Sequence, residues 1–151
     1  GLFLQEEIEP DLSPAETVRR IREQGGVVYV PHPTDRVRRS VLEWEALLEI
    51  IDQVDVIEAL NARVTWPADN RRAEELARAR RLLMGAGSDA HQGYEIGRAY
   101  VEMPPFEDAP GFLRALAQGH IGGGISSPLV HFGSTWARVA KEFRSLAPFT
   151  N

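Results

Sequence analysis

The chain has 151 residues, no cysteine and a formal charge of −5. That length fits one domain, and a hydrophobic content of 43% is enough for a single packed core. The missing thiols exclude a disulfide framework and any thiolate metal site, leaving imidazole and carboxylate as the strong ligands. The acidic balance also argues against a general nucleic-acid-binding surface, although all the basic residues but one are arginine and a local arginine cluster can hold a phosphate. No apolar run reaches the length of a membrane span and the start lacks the marks of a signal peptide, so the sequence predicts a soluble, cytoplasmic chain.

Gly1-Leu2-Phe3-Leu4 reads as the exit of a strand with no initiator methionine and no element before it, the pattern expected of a fragment or a trimmed chain. Ser13-Pro14-Ala15-Glu16 is a capping box with proline at the first helical position; it launches a helix through Val18, Ile21 and Arg22 that stops at Gly25-Gly26. A strand over residues 27–30 follows at once. Residues 42–51 place Leu47, Leu48 and Ile51 on one helical face, and residues 54–60 read as a buried strand. Pro67 opens a third helix over residues 68–81, whose arginines and glutamates read as a solvated face. It leads into the apolar run Leu82-Leu83-Met84 and then Gly85-Ala86-Gly87. Residues 99–103 are a fourth strand candidate, residues 110–118 a short helix, and residues 129–146 a last helix with an apolar stripe from Leu129 to Phe143. His120 before Ile121-Gly122-Gly123-Gly124 lacks the Lys-Ser/Thr of a phosphate loop and reads as a flexible connection; His131 on the last helix reads as packed.

Helix and strand alternate with short connections, which predicts parallel strands joined by right-handed crossovers, in an open sheet or part of a barrel. In both, ligands bind at the carboxyl ends of the strands. His32, the pair Asn61 and Arg63, and the pair Asp89 and His91 each follow a different strand and so are expected on one rim. Asp89-Ala90-His91 on extended backbone points both ligand-type side chains the same way, and imidazole with carboxylate suits Zn, Mn or Fe. His32 is held between two prolines, which partly fixes its direction. Each residue alone has a plainer reading, His32 as a buried hydrogen-bonded imidazole and Asp89 as a cap; together they favour a metal site. Arg63 offers a planar fork to a phosphate and Asn61 a neutral hydrogen bond, with a turn-closing Asn61 and a surface Arg63 as the alternative.

Pro31-His32-Pro33, then Ile57-Glu58-Ala59-Leu60-Asn61-Ala62-Arg63, then Gly87-Ser88-Asp89-Ala90-His91 with Glu95-Ile96-Gly97 after it, resemble the later motifs of the polymerase and histidinol phosphatase (PHP) family of metal-dependent phosphoesterases. The resemblance covers about residues 1–146. It implies an α/β fold in which parallel β/α units form the second half of a distorted (β/α)7 barrel, with His32, Asp89 and His91 as metal ligands. It further implies divalent ions (Mn, Zn or Fe), two or three in the complete protein, and hydrolysis of phosphate monoesters of a nucleotide or small phosphorylated metabolite, with Asn61 and Arg63 against the substrate. The family's opening His-x-His, Thr-Asp-His and subsequent glutamate and histidine are missing, so most ligands would come from a first half that this chain lacks. Two other classes remain open: a non-catalytic half-barrel kept for structure or partner binding, and a metal-dependent amidohydrolase or exonuclease. An uncovered sheet edge predicts self-association.

Overall fold

The computed structural model describes residues 1–38 and 41–126; the helix expected over 129–146, with His131, lies outside them. The elements run α1 (Pro14–Glu23), β1 (Tyr29–Val30), α2 (Trp44–Ile50), β2 (Val56–Asn61), α3 (Pro67–Arg80), β3 (Leu83–Gly87), β4 (Ala99–Glu102), α4 (Ala109–Leu116) and β5 (His120–Gly123). β1, β2 and β3 form a parallel sheet in chain order, as two successive strand–helix–strand crossovers dictate. The parallel expectation stops there: β4 pairs antiparallel with β5, and the glycine run after His120 is strand rather than flexible connection. Gly122 allows this, because a Cβ there would meet the Tyr100 ring at 2.6 Å.

Side-chain alternation along the strands sorts the core into two layers. Val28, Val30 and Ile57 face α1, α2 and α3, packing with Val18, Ile21, Leu47, Ile50, Ala73 and Ala77. Val27 and Val56 face the other way, toward Phe112 and Leu116 of α4 and the partly buried Tyr29, Leu83 and Val101. The first residues close one edge of this second layer. Leu2 bridges Val27, and Phe3 joins Phe106 and Phe112 in a cluster of tilted and edge-on rings.

The ends of the elements carry the polar side chains that fix the rim. Ser13 caps α1 by accepting from the Glu16 amide at 3.2 Å, while the Glu16 carboxylate turns forward to Arg19 and Arg20 instead of completing a capping box. Arg22 grips both oxygens of Asp55 at 2.8 Å, and Asp55 accepts the Val28 amide at 2.7 Å, which ties the end of α1 and the approach to β1 to the start of β2. Arg78 pairs with Glu74 on the exposed face of α3, as that helix's charge pattern predicts. Among the described residues no helix is long and apolar enough to cross a membrane.

Candidate metal centre

The rim lies where β1, β2 and β3 end. Two of its residues adopt left-handed backbone despite having side chains: His32 at φ 33° and Asp89 at φ 49°. Such conformations cost free energy in non-glycine residues and persist when surrounding contacts hold them. At His32 the contact is with Glu58, whose Oε2 accepts the His32 amide at 2.7 Å.

Glu58 is a component that the sequence hides. It sits inside the apolar run of β2 and is only 6% exposed. The β2–β3 register slips between Glu58 and Leu60, a bulge that brings Glu58 and Asn61 to the same side although they are three residues apart. Asn61 Nδ2 therefore donates to Glu58 Oε2 at 3.0 Å and to Asp89 Oδ2 at 3.4 Å. Room for the carboxylate comes from β3: a Cβ at Gly87 would sit 2.1 Å from Glu58 Oε1, and one at Gly85 would sit 2.3 Å from the Tyr29 hydroxyl. Burial, with the Glu58 charge second, pushes the Tyr29 phenol above its ordinary range.

Helix α3 holds the rim from below through its first turn. Asn70 accepts the Asn61 amide with Oδ1 and donates Nδ2 to the Asn61 carbonyl, both at 3.0 Å, a two-point clamp on the end of β2. Asp69, fully buried, accepts Arg36 Nε at 2.8 Å, and its carbonyl accepts the Thr34 hydroxyl at 2.6 Å. The loop after His32 is thereby anchored to the same helix turn.

The predicted site residues divide into two groups. His32 and Asp89 meet through Arg38, whose Nη1 lies 3.3 Å from His32 Nε2 and whose Nη2 donates to Asp89 Oδ2. A guanidinium cannot accept, so the lone pair of His32 is on Nε2; its Nδ1 is buried without a hydrogen-bond partner among the described residues. His91 has the same tautomer for a different reason. Its Nδ1 lies 2.9 Å from the Asp89 carbonyl, which can only accept, leaving the Nε2 lone pair available. A ring nitrogen anchored on a backbone carbonyl while the other offers its lone pair is the usual arrangement of a ligating histidine. His32 Nε2 and Asp89 Oδ2 converge on one cation, the Arg38 guanidinium, and these two donors fit part of a divalent-cation shell; no contact brings His91 Nε2 to the same point among the described residues. Among the described residues no group of three or more His, Asp or Glu is placed so that it could hold a metal ion, and His32, Asp89 and His91 do not gather into one.

Asn61 and Arg63 are placed inside the rim rather than on its open face, with exposures of 1% and 4%. Asn61 Oδ1 accepts the Arg63 amide at 2.8 Å, closing the turn that the plainer sequence reading allowed. Arg63 is ion-paired through Nη1 with the fully buried Glu95. Glu95 in turn accepts the His91 amide at 2.9 Å and the Gln92 amide at 2.8 Å. Burial opposes its ionisation, but those amides and the Arg63 charge together hold its carboxyl below the ordinary range. The Arg63–Glu95 pair thus fixes the turn that carries His91.

Residues 67–121 match the family model described as PHP-associated. The chain is 41% identical over 105 residues to an uncharacterized protein of Methanocaldococcus jannaschii, a match covering 68% of this chain and 44% of that protein. A second uncharacterized protein of the same organism is 40% identical over 62 residues, covering 41% of this chain and 34% of that protein. Among solved structures, a "putative metal-dependent phosphoesterase" from Bifidobacterium adolescentis aligns at a TM-score of 0.46 with 30% identity, covering 57% of this chain and 30% of that one. The chain spans less than half the length of the curated relatives it matches. The PHP-associated match covers α3, β3, β4 and α4, and so the rim residues Asp89, His91 and Glu95; over residues 67–121 the chain is similar to the PHP-associated family.

Proposed function

We propose that the chain contributes His32, Asp89 and His91 to a divalent-metal centre (Mn, Zn or Fe) in a phosphoesterase acting on phosphate monoesters of nucleotides or small phosphorylated metabolites. Its sheet would be the second half of a distorted (β/α)7 barrel whose remaining ligands come from a longer protein. The observation that supports this best is the preparation of the donors. Two imidazoles present Nε2 lone pairs and a carboxylate lies beside one of them, all at the carboxyl ends of parallel strands.

Divalent ions, when bound, polarise phosphoryl oxygens and lower the pKa of an attacking water. The chain's own residues hold and orient. Glu58 fixes the His32 backbone, Asn61 steadies Glu58 and Asp89, and Arg63 with Glu95 fixes the His91 turn. In this reading Asn61 and Arg63 are positioning residues, and a phosphoryl contact falls to the half-exposed Arg36 or to Arg38. The test is Asp89→Ala in the longest natural form of the protein. Loss of bound metal and of phosphomonoesterase activity is expected, with phosphomonoesters preferred over amides and DNA ends; unchanged metal content and activity would contradict the assignment.

The Arg38–Asp89 pair favours one other reading. If that pair is permanent, the rim is a charge-neutral structural feature of a partner-binding half-barrel. Failure of the protein to bind Mn2+ or Zn2+ would select it.

A further inference from the structure

We propose that Arg38 is a built-in counter-cation that occupies the His32–Asp89 ligand pair when no metal is bound, and that a divalent ion must displace it. The inference rests on the metal-site reading above and adds a competitor within the chain itself.

The argument begins with what Arg38 touches. One guanidinium nitrogen faces the lone pair of His32 Nε2 at 3.3 Å and another donates to Asp89 Oδ2. A metal held by His32 would need the one Nε2 lone pair that faces Arg38, because that lone pair serves one cation at a time, and a guanidinium left on Asp89 Oδ2 would repel an ion on the same carboxylate. Among the described residues, the Asp89 carboxylate, whose side chain is 18% exposed, would without Arg38 keep only the weak amide donor of Asn61. A partly buried carboxylate left unpaired is costly, so the metal-free rim gains from a resident cation.

The loop is built so that Arg38 can leave without unfolding. Its backbone is fixed: Asp35 Oδ1 accepts the amides of Val37 at 3.0 Å and Arg38 at 3.2 Å, and Thr34 and Arg36 are tied to Asp69. Its side chain has a second acceptor close by, Asp35 Oδ2, 3.6 Å from Nε. Rotation of the outer guanidinium away from Asp89 therefore leaves the charge paired with the buried Asp35 carboxylate. Two carboxylates flank one arginine, and only one of them shares it with a metal-ligand histidine.

Competition of this kind lowers apparent metal affinity by the fraction of molecules in which the site is open. Removing the arginine charge should raise affinity about tenfold, the scale of one charge-assisted contact. The test is titration calorimetry with Mn2+ and with Zn2+ on the wild type, Arg38→Gln and Arg38→Lys, at one pH and ionic strength. Arg38→Gln should bind each metal about tenfold more tightly, with Arg38→Lys between. Equal or weaker binding by Arg38→Gln, while the wild type binds metal, overturns the proposal and leaves the metal site standing. No binding by any form overturns both. A wild-type measurement guards against a variant that folds poorly: zinc titration followed by NMR of the Arg38 guanidinium. Faster guanidinium exchange on zinc binding is expected; an unchanged signal in the zinc-bound protein overturns the displacement.

Discussion

Gly87 and Glu58 make the rim depend on an absent side chain. Glu58 Oε1 occupies the space a Cβ would take at Gly87, and the other oxygen holds the His32 amide. Gly87→Ala must push the carboxylate aside, so it should cost about 1–3 kcal/mol in chemical denaturation and weaken metal binding as well. An unchanged midpoint with unchanged metal affinity would show that Glu58 is not held as described. At this scale the sequence discloses the ligand types and little of their support. Pro31-His32-Pro33 and Asp89-Ala90-His91 stand out by residue type and spacing, but the extended backbone expected at both is overturned, since His32 and Asp89 take left-handed φ values of 33° and 49°. Glu58 does not stand out, since a carboxylate inside Val56–Asn61 becomes a site residue only through a bulge and two distant glycines. Arg38 is hidden among neighbouring arginines, where charge alone suggests a solvated loop.

The elements act on the site through their ends. Asn70, in the first turn of α3, satisfies both backbone groups of Asn61, and Asn70→Ala leaves an amide and a carbonyl without those partners. The expected cost is about 1–3 kcal/mol, read by denaturation, with little change in helix content; a neutral substitution would mean that water replaces the clamp. The Arg63–Glu95 pair gives the turn after β3 a pH signature. Because the folded carboxyl of Glu95 lies below its ordinary range, its contribution is fully present above the unfolded value of about 4.3 and is lost as pH falls through the folded value. Stability of Glu95→Gln should therefore depend less on pH below about 4.3 than that of the wild type; parallel curves would contradict the assignment. Sequence periodicity locates α1, α3 and β2 well, because apolar spacing and proline or serine caps mark them. It misses β5, because His120-Ile121-Gly122-Gly123 has turn composition and becomes strand only by pairing with β4, where Gly122 underlies Tyr100.

At the scale of the whole molecule, three parallel strands with helices on one side and α4 with the antiparallel β4–β5 pair on the other bring chemistry from distant positions to one rim. β1 is short and lies at the end of the sheet order, with β2 as its one sheet neighbour among the described residues. Uncovered edges pair with other chains, so sedimentation of the isolated chain should show weight-average mass rising with concentration; a single monomeric species at every concentration would count against an available edge. The chain covers less than half of its curated relatives, and among its described residues no group of three or more His, Asp or Glu could hold a metal ion. The most direct test of the account is bound metal per chain, measured by elemental analysis after loading with Mn2+ or Zn2+, for the wild type and for the combined His32→Ala, Asp89→Ala, His91→Ala variant. The account predicts metal retained by the wild type and lost from the variant. Equal metal in the two, or none in either, would contradict it.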